Sequence, residues 1–364
     1  MGKMSAGAKT LGRALAGAAA LAVAGCGGSL PSAPEPPRLP LAWVAYADDG
    51  TVIAASRQQI VRLDGALNEI DRIVPPYPFD PLVSPPGLQF FGISHDGRVA
   101  AMSWQSDSHQ QPVALSSGAI VFEVPSRALL RSDSYPGVDV NFQGLSLSPD
   151  GLSTAAVNGA QIEVSDVAGG GLRWQASSGV LHPPVFTADS SMLILADSAT
   201  RLDVRRALDG FGMFSLPMPG TTGGLVVAAV SADGLTLAAY VSSDSDDTIA
   251  IWRLPIDSVP LRVLTPPSDL GGFPQAIALG PDAAFSAGGG MVAVSYVSDL
   301  GGDGLAVWRS DQLVFRRDDD RVWSVAFSPD GTTLATVSTK RGVQLLRADD
   351  GAVVAEKKLY VDDL

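Results

Sequence analysis

The chain has 364 residues, 46% of them hydrophobic and 17% charged, with 39 glycines and 26 prolines; it is long enough to bury a large core, and the balance suits an all-β, turn-rich body. Its 38 acidic against 25 basic residues leave a net charge of −13, which weighs against binding nucleic acid through its phosphates, since that needs a basic face. Cys26 is the only cysteine, so there is no intrachain disulfide, and a large closed core can do without one.

The first forty residues read as an address. Lys3, Lys9 and Arg13 form a basic region, followed by an apolar run of eleven residues, Ala14 to Ala24. That is too short for a stable bilayer span and right for a signal peptide. The run ends at Val23-Ala24-Gly25-Cys26, which resembles the bacterial lipobox. The resemblance implies cleavage after residue 25 and acylation of Cys26. Between Cys26 and Pro40 stand Pro31, Pro34, Pro36, Pro37 and Pro40. Prolines at this density preclude a helix or a ladder strand and favour an extended tether. The expected organisation is a signal peptide over 1–25, a lipidated cysteine with its proline-rich tether over 26–40, and a folded body over 41–364.

The body repeats one turn. Asp49-Gly50, Asp96-Gly97, Asp150-Gly151, Asp189-Ser190, Asp233-Gly234, Pro281-Asp282 and Asp330-Gly331 each follow an apolar or alternating stretch. The aspartates are spaced 47, 54, 39, 44, 49 and 48 residues apart, a period of the kind that marks stacked supersecondary units. The last unit is the clearest. Val322 to Ser328 alternates with period two as a first strand, and Ser328-Pro329-Asp330-Gly331 turns. Leu334–Val337, Gly342–Arg347 and Ala352–Glu356 then read as three further strands. Third strands are also expected at Ile60–Leu63, Ile120–Val124, Ile162–Ser165, Ile249–Leu254 and Leu305–Arg309.

The run Phe327 to Ala335, FSPDGTTLA, resembles the F-S-P-D-G-x-x-L-A hairpin of the WD40 and WD40-like repeat family, bacterial periplasmic propellers included. The family's Trp-Asp dipeptide is replaced by Leu346-Arg347 here, and by Trp252-Arg253 and Trp308-Arg309 in two other repeats. Seven units therefore predict an all-β fold, a seven-bladed β-propeller with four-stranded antiparallel blades. The degenerate fourth and sixth repeats leave six or eight blades open. Because the proline-rich tether cannot supply a strand to the last blade, closure is expected by packing of blade one on blade seven.

Binding residues are expected in the loops that gather on one face of a propeller. Three loops between second and third strands are long: Ser103–Gly118, Ser242–Asp247 and Ser295–Gly304. So are the connections Val74–Gly87, Leu216–Gly224 and Leu264–Phe273. They place Trp104, Tyr77, Phe79 and Phe273 as aromatic anchors. Asp244, Asp246, Asp247, Asp299 and Asp303 form an acidic rim around them.

Catalytic signals are thin. Ser94-His95-Asp96 spells a triad, but neighbours in sequence cannot converge on one another, and His95 stands where other repeats carry Pro149 or Pro329, so it reads as a turn residue. The expected inner strands (42–46, 89–93, 141–147, 184–187, 225–231, 275–279 and 322–327) contain no Asp, Glu or His, which disfavours a metal or acid–base site in the central channel. No catalytic residue, metal ligand or cofactor is assigned. The reading is an exported lipoprotein, lipid-anchored to the bacterial envelope, whose propeller is a non-catalytic scaffold for another envelope protein. A small-molecule or glycan binder using Trp43, Phe142 and Trp323 at the channel mouth is the first alternative. A propeller-type hydrolase or lyase is the second.

Overall fold

A computed structural model describes residues 43–56, 59–76, 87–105, 116–136, 142–158, 161–177, 183–198, 201–219, 224–231, 233–242, 247–254, 259–266, 273–280, 290–297, 303–318, 321–338 and 340–359. They contain 28 strands in seven four-stranded antiparallel sheets, each built from four consecutive strands. Blade one is β1 (Trp43–Tyr46), β2 (Val52–Ala55), β3 (Ile60–Leu63) and β4 (Glu69–Ile73). Blade two is β5 (Gly87–Ile93), β6 (Val99–Gln105), β7 (Ser116–Glu123) and β8 (Leu129–Pro136). Blade three is β9 (Phe142–Leu147), β10 (Ser153–Asn158), β11 (Gln161–Asp166) and β12 (Leu172–Ser177). Blade four is β13 (Val185–Phe186), β14 (Met192–Ser198), β15 (Arg201–Arg206) and β16 (Gly212–Pro217). Blade five is β17 (Gly224–Val230), β18 (Thr236–Ser242), β19 (Thr248–Arg253) and β20 (Arg262–Leu264). Blade six is β21 (Phe273–Leu279), β22 (Met291–Val297), β23 (Gly304–Arg309) and β24 (Gln312–Arg317). Blade seven is β25 (Val322–Phe327), β26 (Thr333–Ser338), β27 (Gly342–Arg347) and β28 (Val353–Lys357).

The core lies between blades. Strand alternation sends successive side chains to opposite faces, and each blade uses both. In β18, Leu237, Ala239 and Val241 pack toward blade four, while Ala238 and Tyr240 pack toward blade six. Further clusters join blades one to two, two to three, and six to seven. The ring closes where Val44, Val52, Ala54 and Val61 of blade one meet Ala335, Val337, Val343 and Leu345 of blade seven. The backbone N–H of Val44 also donates to the Ser324 hydroxyl at 3.2 Å. No strand is exchanged at this seam: β25 to β28 form a sheet of their own. Closure is by packing, as the tether's composition implies.

The Asp-Gly turns are as expected, with Gly50, Gly97, Gly151, Gly234 and Gly331 all in the left-handed region. The fourth turn lacks glycine, and Ser190 takes φ 61° in its place. Its hydroxyl accepts the Asp150 N–H of the preceding blade at 3.1 Å.

Two readings need correction. The unbroken alternation expected from Val322 to Ser328 is interrupted, because Val322 pairs with Ser338 and Ser324 with Val337, leaving Trp323 as an extra, bulged residue. Ser324 and Val325 are in consequence both buried. The long loops are also shorter than read: pairing runs on to Gln105 opposite Ser117, to Gly224 opposite Ser242, and to Phe273 opposite Val297.

Candidate functional site

Four consecutive antiparallel strands per blade sort the connections onto two faces. Turns between first and second strands, and between third and fourth, share one face. The second-to-third connections and the links between blades share the other, which is where the sequence placed the binding loops.

On the turn face one hydrogen-bonding device recurs. In five blades a Ser or Thr two residues before the turn aspartate donates its hydroxyl to that carboxylate: Ser94 to Asp96, Ser148 to Asp150, Thr187 to Asp189, Ser231 to Asp233 and Ser328 to Asp330, all within 2.5–2.6 Å. The same hydroxyl oxygen accepts the N–H five residues on, at 2.9–3.0 Å. The carboxylate also accepts the N–H two residues after itself. The hydroxyl partner is legible as a Ser or Thr two residues before five of the seven turn aspartates; Asp49 has Ala47 and Asp282 has Gly280 at that offset.

Consecutive turns are stitched together. Asp48 N–H donates to the His95 carbonyl at 2.7 Å and His95 N–H to the Pro149 carbonyl at 2.8 Å. They frame a recess of about 400 Å³ lined by Asp48, His95, Asp96, Pro149, Asp150 and the turn Ala188 to Ser190. His95 Nδ1 stands 3.9 Å from Asp48 Oδ1. Ser94 and Asp96 bond to each other, so His95 is a turn residue and the three do not form a relay. For Asp96 and Asp189, burial opposes ionisation but is outweighed by the hydroxyl and backbone N–H donors, so both sit below the usual carboxylate range. These carboxylates are committed to their turns. Among the described residues no group of three or more His, Cys, Asp or Glu converges as metal ligands would.

Of the residues expected on the loop face, Tyr77, Phe79, Asp244, Asp246 and Asp299 lie outside the described residues, and so does the expected lipidation site Cys26. Trp104 lies in β6 opposite Leu88 and Gly118, and Phe273 opens β21, so both belong to strand ends and not to loops; their side chains are outside the described residues. Asp247 precedes β19 and accepts the Tyr240 hydroxyl at 2.8 Å. Burial, then the hydrogen bond to Asp247, pushes that phenol far above its ordinary value. Asp303 precedes β23 and accepts Arg321 Nε at 3.0 Å. Arg321 in turn lies over the Trp323 ring, 5.2 Å from its centroid. A second group sits beside it in blade six: Arg316 Nε reaches Asp318 at 2.5 Å and the Tyr296 hydroxyl at 3.2 Å, and Tyr296 itself donates to Asp318.

The structure thus unites Asp303 with Trp323 through Arg321, and gives Asp247 to Tyr240. Arg321 meets Asp303 across 18 residues and Arg316 meets Tyr296 across 20, so these pairings are not legible in the sequence, whereas the Arg316–Asp318 pair is local. Trp323 reaches Arg321 because the bulge sets it out of the inner strand's alternation.

Seven four-stranded blades closed in a ring define a seven-bladed β-propeller. The WD domain, G-beta repeat family model matches residues 311–345, spanning β24 through most of β27, so that segment carries a WD40-like repeat within the propeller. A solved chain of Kuenenia stuttgartiensis hydrazine synthase is similar with a TM-score of 0.62 at 12% identity, over 89% of this chain and 100% of that one. Matches extend to 1500 solved chains, so the likeness is one of architecture and carries no activity. No curated protein matches the chain.

Proposed function

We propose that this chain is an exported lipoprotein whose propeller is a non-catalytic protein-interaction scaffold at the bacterial cell envelope. The observation that carries the reading is the commitment of the turn-face carboxylates: Asp96, Asp150, Asp189, Asp233 and Asp330 each serve a hydroxyl and a backbone N–H of their own turn. What such a ring offers a partner is rigid, many-sided surface. The lipobox-like Val23-Ala24-Gly25-Cys26 and the prolines behind it support anchorage with a spacer.

Fractionation tests the anchor: Cys26→Ser should move the protein from the membrane to the soluble fraction, and unchanged membrane association would end the lipoprotein reading. Crosslinking in the native envelope, with a Trp104/Asp246/Asp303 variant beside the wild type, tests the scaffold. A partner held by wild type and lost by the variant supports it.

A second reading rests on Arg321 stacked over Trp323 beside Asp303. An aromatic face with a fixed cation and carboxylate suits a polar small molecule or a glycan at the channel mouth. Saturable quenching of tryptophan fluorescence, abolished by Trp323→Leu, would favour it.

A further inference from the structure

The turn face carries a groove between blades four and five, of about 380 Å³, whose lining includes Met192, Met213, Leu235 and Leu254, with Asp189 and Asp233 at its rim. Two of its apolar side chains are unusually open to solvent, Met213 at 47% and Leu235 at 49% exposed. Phe211, at 64%, lies beneath the Arg206 guanidinium, 5.5 Å from ring centroid to cation.

The fold accounts for this exposure. In the β15–β16 hairpin, Val204 pairs with Phe214 and Arg205 with Gly212, so Met213 is the extra residue of a bulge on the outermost strand. A bulge at a sheet edge re-aims its side chain. Across the groove, β20 pairs with β19 only from Ile249 to Ile251, whereas β16 follows β15 all the way to Arg205.

The charges at the rim are unequal. Arg206 is held by Asp209 through two bonds, Nε to Oδ1 at 2.8 Å and Nη2 to Oδ2 at 2.5 Å, so its charge is met locally. Asp189 and Asp233 are bonded to hydroxyls and N–H groups, none of which carries a positive charge. The groove is therefore apolar at its floor and anionic at its edge, on a chain of net charge −13.

We propose that this groove docks a basic amphipathic segment of a partner protein, with a large apolar side chain seated against Met192, Met213 and Leu235 and flanking lysine or arginine side chains facing Asp189 and Asp233. The proposal rests on the reading of the propeller as a protein-interaction scaffold. It names a second contact surface, opposite the loop face, and the chemistry of what fills it. Apolar anchoring supplies the affinity and the anionic rim the orientation and the rejection of acidic segments.

The test uses the full chain and three labelled dodecapeptides that share a central Leu-Phe pair, flanked by lysines, by serines or by glutamates. Anisotropy titrations should show the lysine-flanked peptide binding at least tenfold more tightly than the glutamate-flanked one, and weakening as salt is raised. Met213→Lys and Leu235→Lys should each weaken that binding at least tenfold. Leu152→Lys, at a position 60% exposed on blade three, should leave it unchanged. Circular dichroism establishes that all three variants remain folded. Equal affinity for the three peptides, or binding indifferent to Met213→Lys, overturns the proposal. So does a dimer in sedimentation that Met213→Lys dissociates, which would make the groove a contact between copies. Binding to phosphatidylglycerol vesicles lost in the same variant would overturn it as well. The envelope crosslink separates the two readings: a partner retained by Met213→Lys but lost by the loop-face variant removes only the groove. Absence of any partner from wild type removes the scaffold itself.

Discussion

Ser328 shows how much one hydroxyl does in this chain. It is buried, donates to Asp330 at 2.6 Å and accepts the Thr333 N–H at 3.0 Å. Ser328→Ala leaves that N–H without its acceptor and should cost about 1–3 kcal/mol in urea unfolding. The carboxylate it serves gives the pH dependence. The Ser328 hydroxyl first, then the Thr332 N–H, hold Asp330 below the ordinary carboxylate range against a smaller opposing effect of burial. Asp96 and Asp189 are lowered too. A group whose folded pKa is depressed contributes stability above its unfolded value, near 3.9, and loses it as pH falls through the folded one. The urea midpoint should therefore be flat from neutrality to about pH 5 and fall below about pH 4, less steeply in Ser328→Ala. A midpoint unchanged to pH 3 would contradict this account. Turn chemistry of this kind was legible because it is local: residue, neighbour and conformation lie within six positions. Arg321 was not, since its carboxylate, Asp303, stands 18 residues back at the start of another strand, and its stacking on Trp323 depends on the bulge in β25.

At the scale of the strand and hairpin, glycine matters for two separable reasons. Gly50 and Gly351 both adopt positive φ, 82° and 71°. A Cβ on Gly50 would meet nothing within 4 Å, whereas one on Gly351 would stand 2.6 Å from the Phe315 ring of blade six. Trp174 covers Gly210 in the same manner, one blade earlier onto the next, and its indole N–H reaches the Ala207 carbonyl at 2.8 Å. Gly50→Ala should cost only backbone strain, about 1–2 kcal/mol. Gly351→Ala should cost clearly more, because the outer strand of blade six must move as well; equal losses of thermal stability would remove Phe315 from the argument. Asp-Gly turns and third strands were placed from sequence to within a few residues, as the pattern of Gly342–Arg347 shows. Bulges were not, because no residue type announces them. Trp323 and Met213 look like ordinary members of alternating strands until their pairing partners are counted.

For the whole molecule, stability is a property of seams. Blade seven buries Leu334 and Leu346 against blade six, and Ala335, Val337, Val343 and Leu345 against blade one. A chain ending at Arg317 would expose both facing surfaces at once, including Ala293, Leu305, Val307, Val52, Ala54 and Val61, all now inaccessible to solvent. We expect such a chain to show no cooperative urea transition and no near-ultraviolet dichroism, since no remaining interface replaces the two removed. A sharp transition would mean that six blades close alone. The number of blades followed from the spacing of the turns. The face that binds did not, since a repeat pattern describes what the blades share and a site is made of what they do not.

The seam between blades one and seven is held by packing and by the Val44 N–H on Ser324, and no peptide link joins those two blades. With no strand shared across the gap, the ring has no structural first blade; β28 precedes β1 in space much as β4 precedes β5. Joining residue 359 to residue 43 through a short linker and opening the chain at any other link between blades would yield the same seven sheets in rotated order. The origin of numbering is thus a feature of the polymer and not of the folded body. Because every link between blades lies on the loop face, a tether moved to another link would change which blade stands nearest it and not which face it leaves from.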